Sequence, residues 1–169
     1  TSKISCNKKL TLYDYKGKLV SYKSIEDILK EYYKMRLNYY IKRRDYLINE
    51  LQKNVMLIKI KVKFILDIIN NKIIINNKSK KDIYEQLEKE KYPKMYEGIL
   101  YEFKKENSQI LKDADYDFLI KMPIYNLTKD KIDELKKELN KIETELKDLK
   151  ETTIKKMWIN DLTIFEKEY

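Results

Sequence analysis

The chain contains no histidine, which removes imidazole catalysis and every histidine-ligated metal site from consideration. Its one cysteine, Cys6, excludes an internal disulfide and any multi-cysteine zinc site, and fits a reducing compartment. Two glycines and two prolines among 169 residues are too few for a loop-rich α/β fold, which needs turn residues at every connection. No uncharged run reaches the length of a membrane span. What is present is 38% charged and 43% hydrophobic residues, the mixture of long amphipathic helices and not of a disordered tail. The length suits one compact domain or one elongated module. No leader-like segment opens the chain, and its start at Thr1 reads as a piece cut from a longer protein.

The net charge is +9, unevenly spread. Residues 34–63 hold nine Lys/Arg against Asp45 and Glu50 alone. A basic stretch of this kind steers polyanions without sequence preference, and nucleic acid is the first candidate. Lys42, Arg43 and Arg44 are its densest point and the residues expected nearest DNA. The competing reading is a solvated helix face, since 34 of the 37 basic residues are Lys.

Local signals order the chain. Residues 8–23 predict a β-hairpin, with Leu10, Leu12 and Leu19 around Asp14-Tyr15-Lys16-Gly17, where Gly supplies a positive φ. Such a hairpin is marginal alone and is expected to belong to a neighbouring body. Ser24 is an N-cap candidate with Glu26 and Asp27 behind it. Ile73-Ile74-Ile75 predicts a short strand, and Ser79 with Asp82 caps a second helix. Over 88–115 the signals are weakest, Ile99, Leu100 and Phe103 suggesting helix; Met122-Pro123 marks a turn. Thr128 caps the next helix, with Asp133–Lys137 and Glu143–Lys147 as supporting i,i+4 pairs. Ile154, Trp158, Leu162 and Phe165 predict a last amphipathic helix.

Two runs keep a 3,4 spacing, the mark of a coiled-coil seam. Ile48, Leu51, Val55, Ile58, Val62 and Ile65 form the outgoing run, and Ile132, Leu135, Leu139, Ile142, Leu146 and Leu149 the returning one. The fold expected is mainly α: a long antiparallel two-helix coiled-coil arm, a small mixed but mostly helical knob at its tip, and a short N-terminal β-hairpin. Its parts are 1–23 (hairpin), 24–70 (outgoing helix), 71–127 (knob) and 128–169 (returning and closing helices). Direct pairing sets Ile65 against Ile132, Val62 against Leu135 and Ile58 against Leu139, and so on down to Ile48 with Leu149. The seam phase breaks near Arg43-Arg44 on one side and Glu151-Thr152-Thr153 on the other, predicting a joint at which Glu151 partners Arg43 or Arg44.

Five segments resemble, in order, eukaryotic-type type IIA DNA topoisomerases. Thr1–Asp14 resembles the strand leading into that family's arm. Arg36-Leu37-Asn38-Tyr39-Tyr40 with Arg43 and Arg44 is similar to its outgoing helix, and Ile73–Lys81 to a strand-to-helix passage in its knob. Asp117–Lys131 resembles the entry to its returning helix, and Trp158-Ile159-Asn160-Asp161-Leu162 its closing segment. The resemblance implies a piece of an enzyme that passes one duplex through a transient double-strand break in another, driven by ATP. The ATPase domain, acidic metal-binding domain and tyrosine-bearing winged helix would lie upstream. It implies that this piece is the exit gate, a homodimer contact at the knob that opens to release the transported duplex, with Ile99, Leu100, Tyr101, Phe103 and Tyr116 as contact candidates. No catalytic residue, cofactor or metal is expected here; ATP and magnesium belong to the parent. The resemblance further implies that duplex DNA is met through the parent, that no membrane is involved, and that the location is nuclear in a eukaryotic cell or the host cell for a virus. The other reading is a free-standing basic coiled-coil adaptor that scaffolds proteins or binds nucleic acid.

Two constellations resist a chemical reading. Asp113, Asp115 and Asp117 alternate as in a cation loop, but Phe118 and Ile124 stand where an EF-hand needs Gly and Glu. None of the fifteen tyrosines follows an arginine, as the family's nucleophile does, and helical spacing of Tyr32, Tyr39 and Tyr46 points to packing.

Overall fold

The computed structural model describes residues 10–101 and 109–169; Cys6 and Phe103 lie outside them. The chain is mostly helical, with one long helix and a small N-terminal antiparallel hairpin, as the sequence predicts. It divides into two compact units, residues 1–47 with 151–169 and residues 48–150.

In the first unit, β1 (Leu10–Tyr13) pairs antiparallel with β2 (Leu19–Tyr22), Leu12 facing Val20. The Asp14 carboxylate accepts from the Lys16 and Lys18 amides (2.9 and 2.8 Å), and Gly17 takes φ +77°. A side chain that replaces backbone partners this way is why Asp opens the turn. Helix α1 (Ile25–Ile69) follows, its first turn capped by Ser24 Oγ accepting from the Asp27 amide at 3.2 Å. No break occurs at Lys42–Asp45: the shift of seam phase costs no backbone hydrogen bond, so the helix continues. Only the returning side is interrupted, where Thr153 caps α5 (Ile154–Glu168) through the Lys156 amide.

The second unit holds the rest of α1 and, among the described residues, six short elements before α4 (Lys129–Glu151). Helix α2 (Lys80–Lys89) opens with a reciprocal capping box between Ser79 and Asp82. Two expectations fail next. Ile73-Ile74-Ile75 forms no strand: the Gln86 side chain stands where a neighbouring strand would pair. Gln86 Oε1 accepts from the Ile74 amide (2.9 Å) and its Nε2 donates to the Ile74 carbonyl (3.2 Å). Ile99 and Leu100 are not helical: β3 (Lys94–Tyr96) and β4 (Ile99–Tyr101) make a second hairpin. Its two-residue turn, Glu97-Gly98, has φ of +48° and +77°, the left-handed pair that matches strand twist. Helix α3 (Asp117–Ile120) and a 3-10 turn at Ile124–Asn126 lead to α4.

Two cores flank the end of α1. Ile58 and Ile65 are buried with Ile132 and Leu135 of α4, and Val62, Ile69, Leu139 and Ile142 pack around them. Lys59 reaches Glu143 at 2.7 Å, while Ile65 further along α1 is buried in one cluster with Ile132 near the start of α4, as antiparallel helices require. Glu143 thus pairs across helices instead of with Lys147. On another face of α1, Ile60 and Phe64 join Ile73, Ile83, Leu87, Tyr92, Tyr116 and Leu119 in a second core. The body formed by 71–127 is therefore built around side chains of the outgoing helix.

Candidate functional site

The basic residues of the first unit occupy unlike environments. Trp158 of α5 lies against two tyrosines of α1 seven positions apart, Tyr33 at 5.3 Å and Tyr40 at 5.7 Å between ring centroids. Tyr40 is buried, and its hydroxyl donates to Asp161 at 2.7 Å. Burial, then the bond to Asp161, raises the Tyr40 phenol above its ordinary value, and the same bond lowers the Asp161 carboxyl. Arg43 bonds Asp161 at 2.7 Å and, like Arg36, lies over the Tyr40 ring. Arg43 therefore partners Asp161 and not Glu151, because α5 carries Asp161 back to the same face of α1 as Tyr40. Arg44 is half-buried, its Nε lacking a hydrogen-bond partner among the described residues. Lys42 is exposed, over the Tyr39 ring at 5.4 Å.

In the second unit the seam candidates grade from buried to half-buried. Ile58, Ile65, Ile132 and Leu135 are buried; Ile48, Leu51, Val55, Val62, Leu139, Ile142, Leu146 and Leu149 are intermediate. The candidate contact residues separate by strand alternation. Ile99 is exposed and Tyr101 half-buried, while Leu100 between them packs against the core. Tyr116 offers nothing to a partner: it is fully buried and its hydroxyl donates to the Tyr92 carbonyl at 3.2 Å.

Two polar networks hold this body. The Tyr92 hydroxyl donates to Asp67 at 2.6 Å; Asp67 is the buried carboxylate in the last turn of α1, whose carbonyl accepts from the Lys72 and Ile73 amides. Burial, then the bond to Asp67, drives the Tyr92 phenol far above its usual range. Asp117 accepts from Lys80 (2.8 Å), Lys121 (2.9 Å) and the Tyr84 hydroxyl (2.9 Å). Those bonds, Lys80 first, hold its carboxyl well below the usual range. Asp117 is thus satisfied by cations of the chain itself, which explains why the alternating acids do not converge. Among the described residues no group of three or more acids or cysteines is placed to hold a metal, and no helix is long and apolar enough to cross a membrane. Sequence reasoning misses the roles of Asp67, Asp117 and Asp161, whose tyrosine partners lie 25 to 121 positions away.

The family model for the A subunits of DNA gyrase and topoisomerase IV matches residues 1–163. DNA topoisomerase 2 of Plasmodium falciparum is 36% identical over 90% of this chain, and topoisomerase 2-alpha of Gallus gallus 33% over 98%. The chain spans 12% and 11% of the length of these two relatives. Its fold is similar to the crystal structure of the Plasmodium falciparum topoisomerase II DNA-binding, cleavage and re-ligation domain. The TM-score is 0.78 with 38% identity, covering 94% of this chain and 23% of that one.

Proposed function

The chain belongs to the type II DNA topoisomerases, and from that premise we propose that it forms the exit gate of its parent enzyme. The observation that carries this reading is the second unit. There α1 and α4 run antiparallel into a body with a second core, and that body leaves Ile99 of the second hairpin exposed. A stiff helical pair ending in a body packed on its outgoing helix suits a contact that holds two subunits and parts to let a duplex through. Family membership answers the free-standing adaptor, since the match spans nearly the whole chain.

In this reading the seam from Ile48–Leu149 to Ile65–Ile132 stiffens the pair, and residues 71–127 form the homodimer contact. The chain supplies no chemistry: strand cleavage, ATP hydrolysis and the magnesium they use belong to other parts of a parent that passes duplex through duplex. Of Lys42, Arg43 and Arg44, Lys42 is the one exposed and not held by an acid, so it meets DNA first. The parent works where chromosomes are, in the nucleus of a eukaryotic cell or in a virus-infected host cell.

The test is the pure chain with supercoiled plasmid and ATP, together with sedimentation over a range of concentrations. The expected outcome is no relaxation, no ATP hydrolysis, and a dimer that dissociates on dilution. Reproducible relaxation would contradict the division of labour, and a monomer at every concentration would remove the gate.

A further inference from the structure

We infer that the first unit carries a docking site for one stretch of DNA phosphate backbone, between the first hairpin and α1, which deepens the DNA contact proposed above and rests on it. Lys34, Asn38 and Lys42 stand at successive four-residue steps on α1 and so share one stripe of the helix. They line a concavity of about 280 Å3 whose other walls include Tyr15 of the hairpin turn and Tyr39. Lys42 lies over the Tyr39 ring, and Lys16 lies over the Tyr15 ring at 5.5 Å, so a third ammonium caps the hairpin side.

The charge at this place is only partly compensated: Lys34 and Lys42 share the concavity with one carboxylate. The one acid lining the concavity, Glu31, accepts a 2.6 Å hydrogen bond from the Tyr22 hydroxyl. Neither Lys34 nor Lys42 is held in an ion pair among the described residues. The two arginines that the sequence offers beside Lys42 are otherwise occupied, Arg43 by Asp161 and Arg44 by partial burial.

The ligand follows from the type of group. Lysine ammoniums are point charges without the planar fork that reads guanine edges, so they hold phosphate without choosing sequence. Lys34 and Lys42 lie eight residues apart on α1, about 12 Å along the helix, a span that suits successive phosphates of a polymer and not one small anion. Tyr15 and Tyr39 fix the direction of the ammoniums through their ring faces.

The experiment uses the full 169-residue chain and a fluorescent 30-base-pair duplex of random sequence, with binding followed by anisotropy from 50 to 200 mM salt. We expect Lys34→Gln with Lys42→Gln to weaken binding about ten-fold or more at 50 mM salt, and to lower the slope of log affinity against log salt by about 2. Removing the same charge from α4, by Lys136→Gln with Lys137→Gln, should change affinity less than about two-fold, and Lys16→Gln should fall between. Equal losses in the two double variants would make net charge the cause and overturn the site. Wild-type binding that survives Lys34→Gln with Lys42→Gln unchanged would overturn this site alone and leave the DNA reading standing. No binding by the wild type at 50 mM salt would overturn both. A polyglutamate peptide bound more tightly than the duplex would overturn DNA as the ligand.

Discussion

Replacing Tyr92 by Phe removes one oxygen from the core of the second unit and leaves its shape intact. The ring keeps its edge-on contact with Phe64, at 6.2 Å between centroids, and its place under Lys63 at 4.3 Å. What is lost is the 2.6 Å bond to Asp67, a carboxylate 6% exposed. Lys72 is 3.8 Å from the other carboxylate oxygen and itself largely exposed, so it replaces little of the loss. A hydrogen bond to a charged group contributes about 1.5–3 kcal/mol, and an acceptor left buried costs a similar amount. We therefore expect Tyr92→Phe to lower stability by about 2 kcal/mol in urea unfolding followed by far-UV circular dichroism. Asp67→Asn should cost less, under about 1 kcal/mol. It keeps an acceptor for Tyr92 and removes a negative charge from the last turn of α1, where the helix dipole disfavours it. If Tyr92→Phe costs less than about 0.5 kcal/mol, or Asp67→Asn costs more than it does, the buried bond does not hold the end of α1 as argued.

Four further outcomes are expected. The phenols of Tyr92 and Tyr116 are raised chiefly by burial. Their contribution is complete below the unfolded value near 10 and is lost as pH rises above it. Stability should therefore fall from pH 9 to 11, less steeply in Tyr92→Phe, and a flat profile would refute the burial. Gly98→Ala should cost about 1–2 kcal/mol from backbone strain alone, because nothing lies within 4 Å of an added Cβ; a neutral result in thermal melts would deny the positive φ. In the first unit, Asp161→Ala should shift Trp158 fluorescence and unfold that unit earlier. Arg43→Ala should cost under about 0.5 kcal/mol, the pair being exposed; a larger loss for arginine would reverse that order. With Cys6 replaced by Ser, cysteines at Ile58 and Leu139 should crosslink within one chain. Preferential crosslinking of Ile58 to Leu146 would shift the seam by a heptad.

The legible parts of the fold are those coded locally. Ser24, Ser79 and Thr128 cap helices where the sequence places them, because a cap is settled within three residues. The Asp14–Gly17 turn is readable for the same reason. The strand expected at Ile73–Ile75 fails because its hydrogen-bonding partner is a glutamine side chain twelve positions away. The second hairpin escapes sequence reasoning although Glu97-Gly98 between Lys94-Met95-Tyr96 and Ile99-Leu100-Tyr101 is a two-residue turn signal; a glutamate in the left-handed position disguises it. Tyr116 reads as a contact residue because its amphipathic ring suits the inside and the outside equally well. Only its bond to the Tyr92 carbonyl decides. Ile60 and Phe64 fall outside the seam spacing and look like the solvent side of α1, whereas they form the floor of the second core.

In the proposed gate two copies meet through the body at 71–127 and not through the first unit, which also exposes apolar side chains, among them Leu162. Sedimentation equilibrium of Ile99→Asp beside Leu162→Asp, each in the full chain, tests it most directly. Ile99→Asp should be monomeric at concentrations where wild type and Leu162→Asp remain dimeric. Dimers that survive Ile99→Asp and vanish with Leu162→Asp would contradict it.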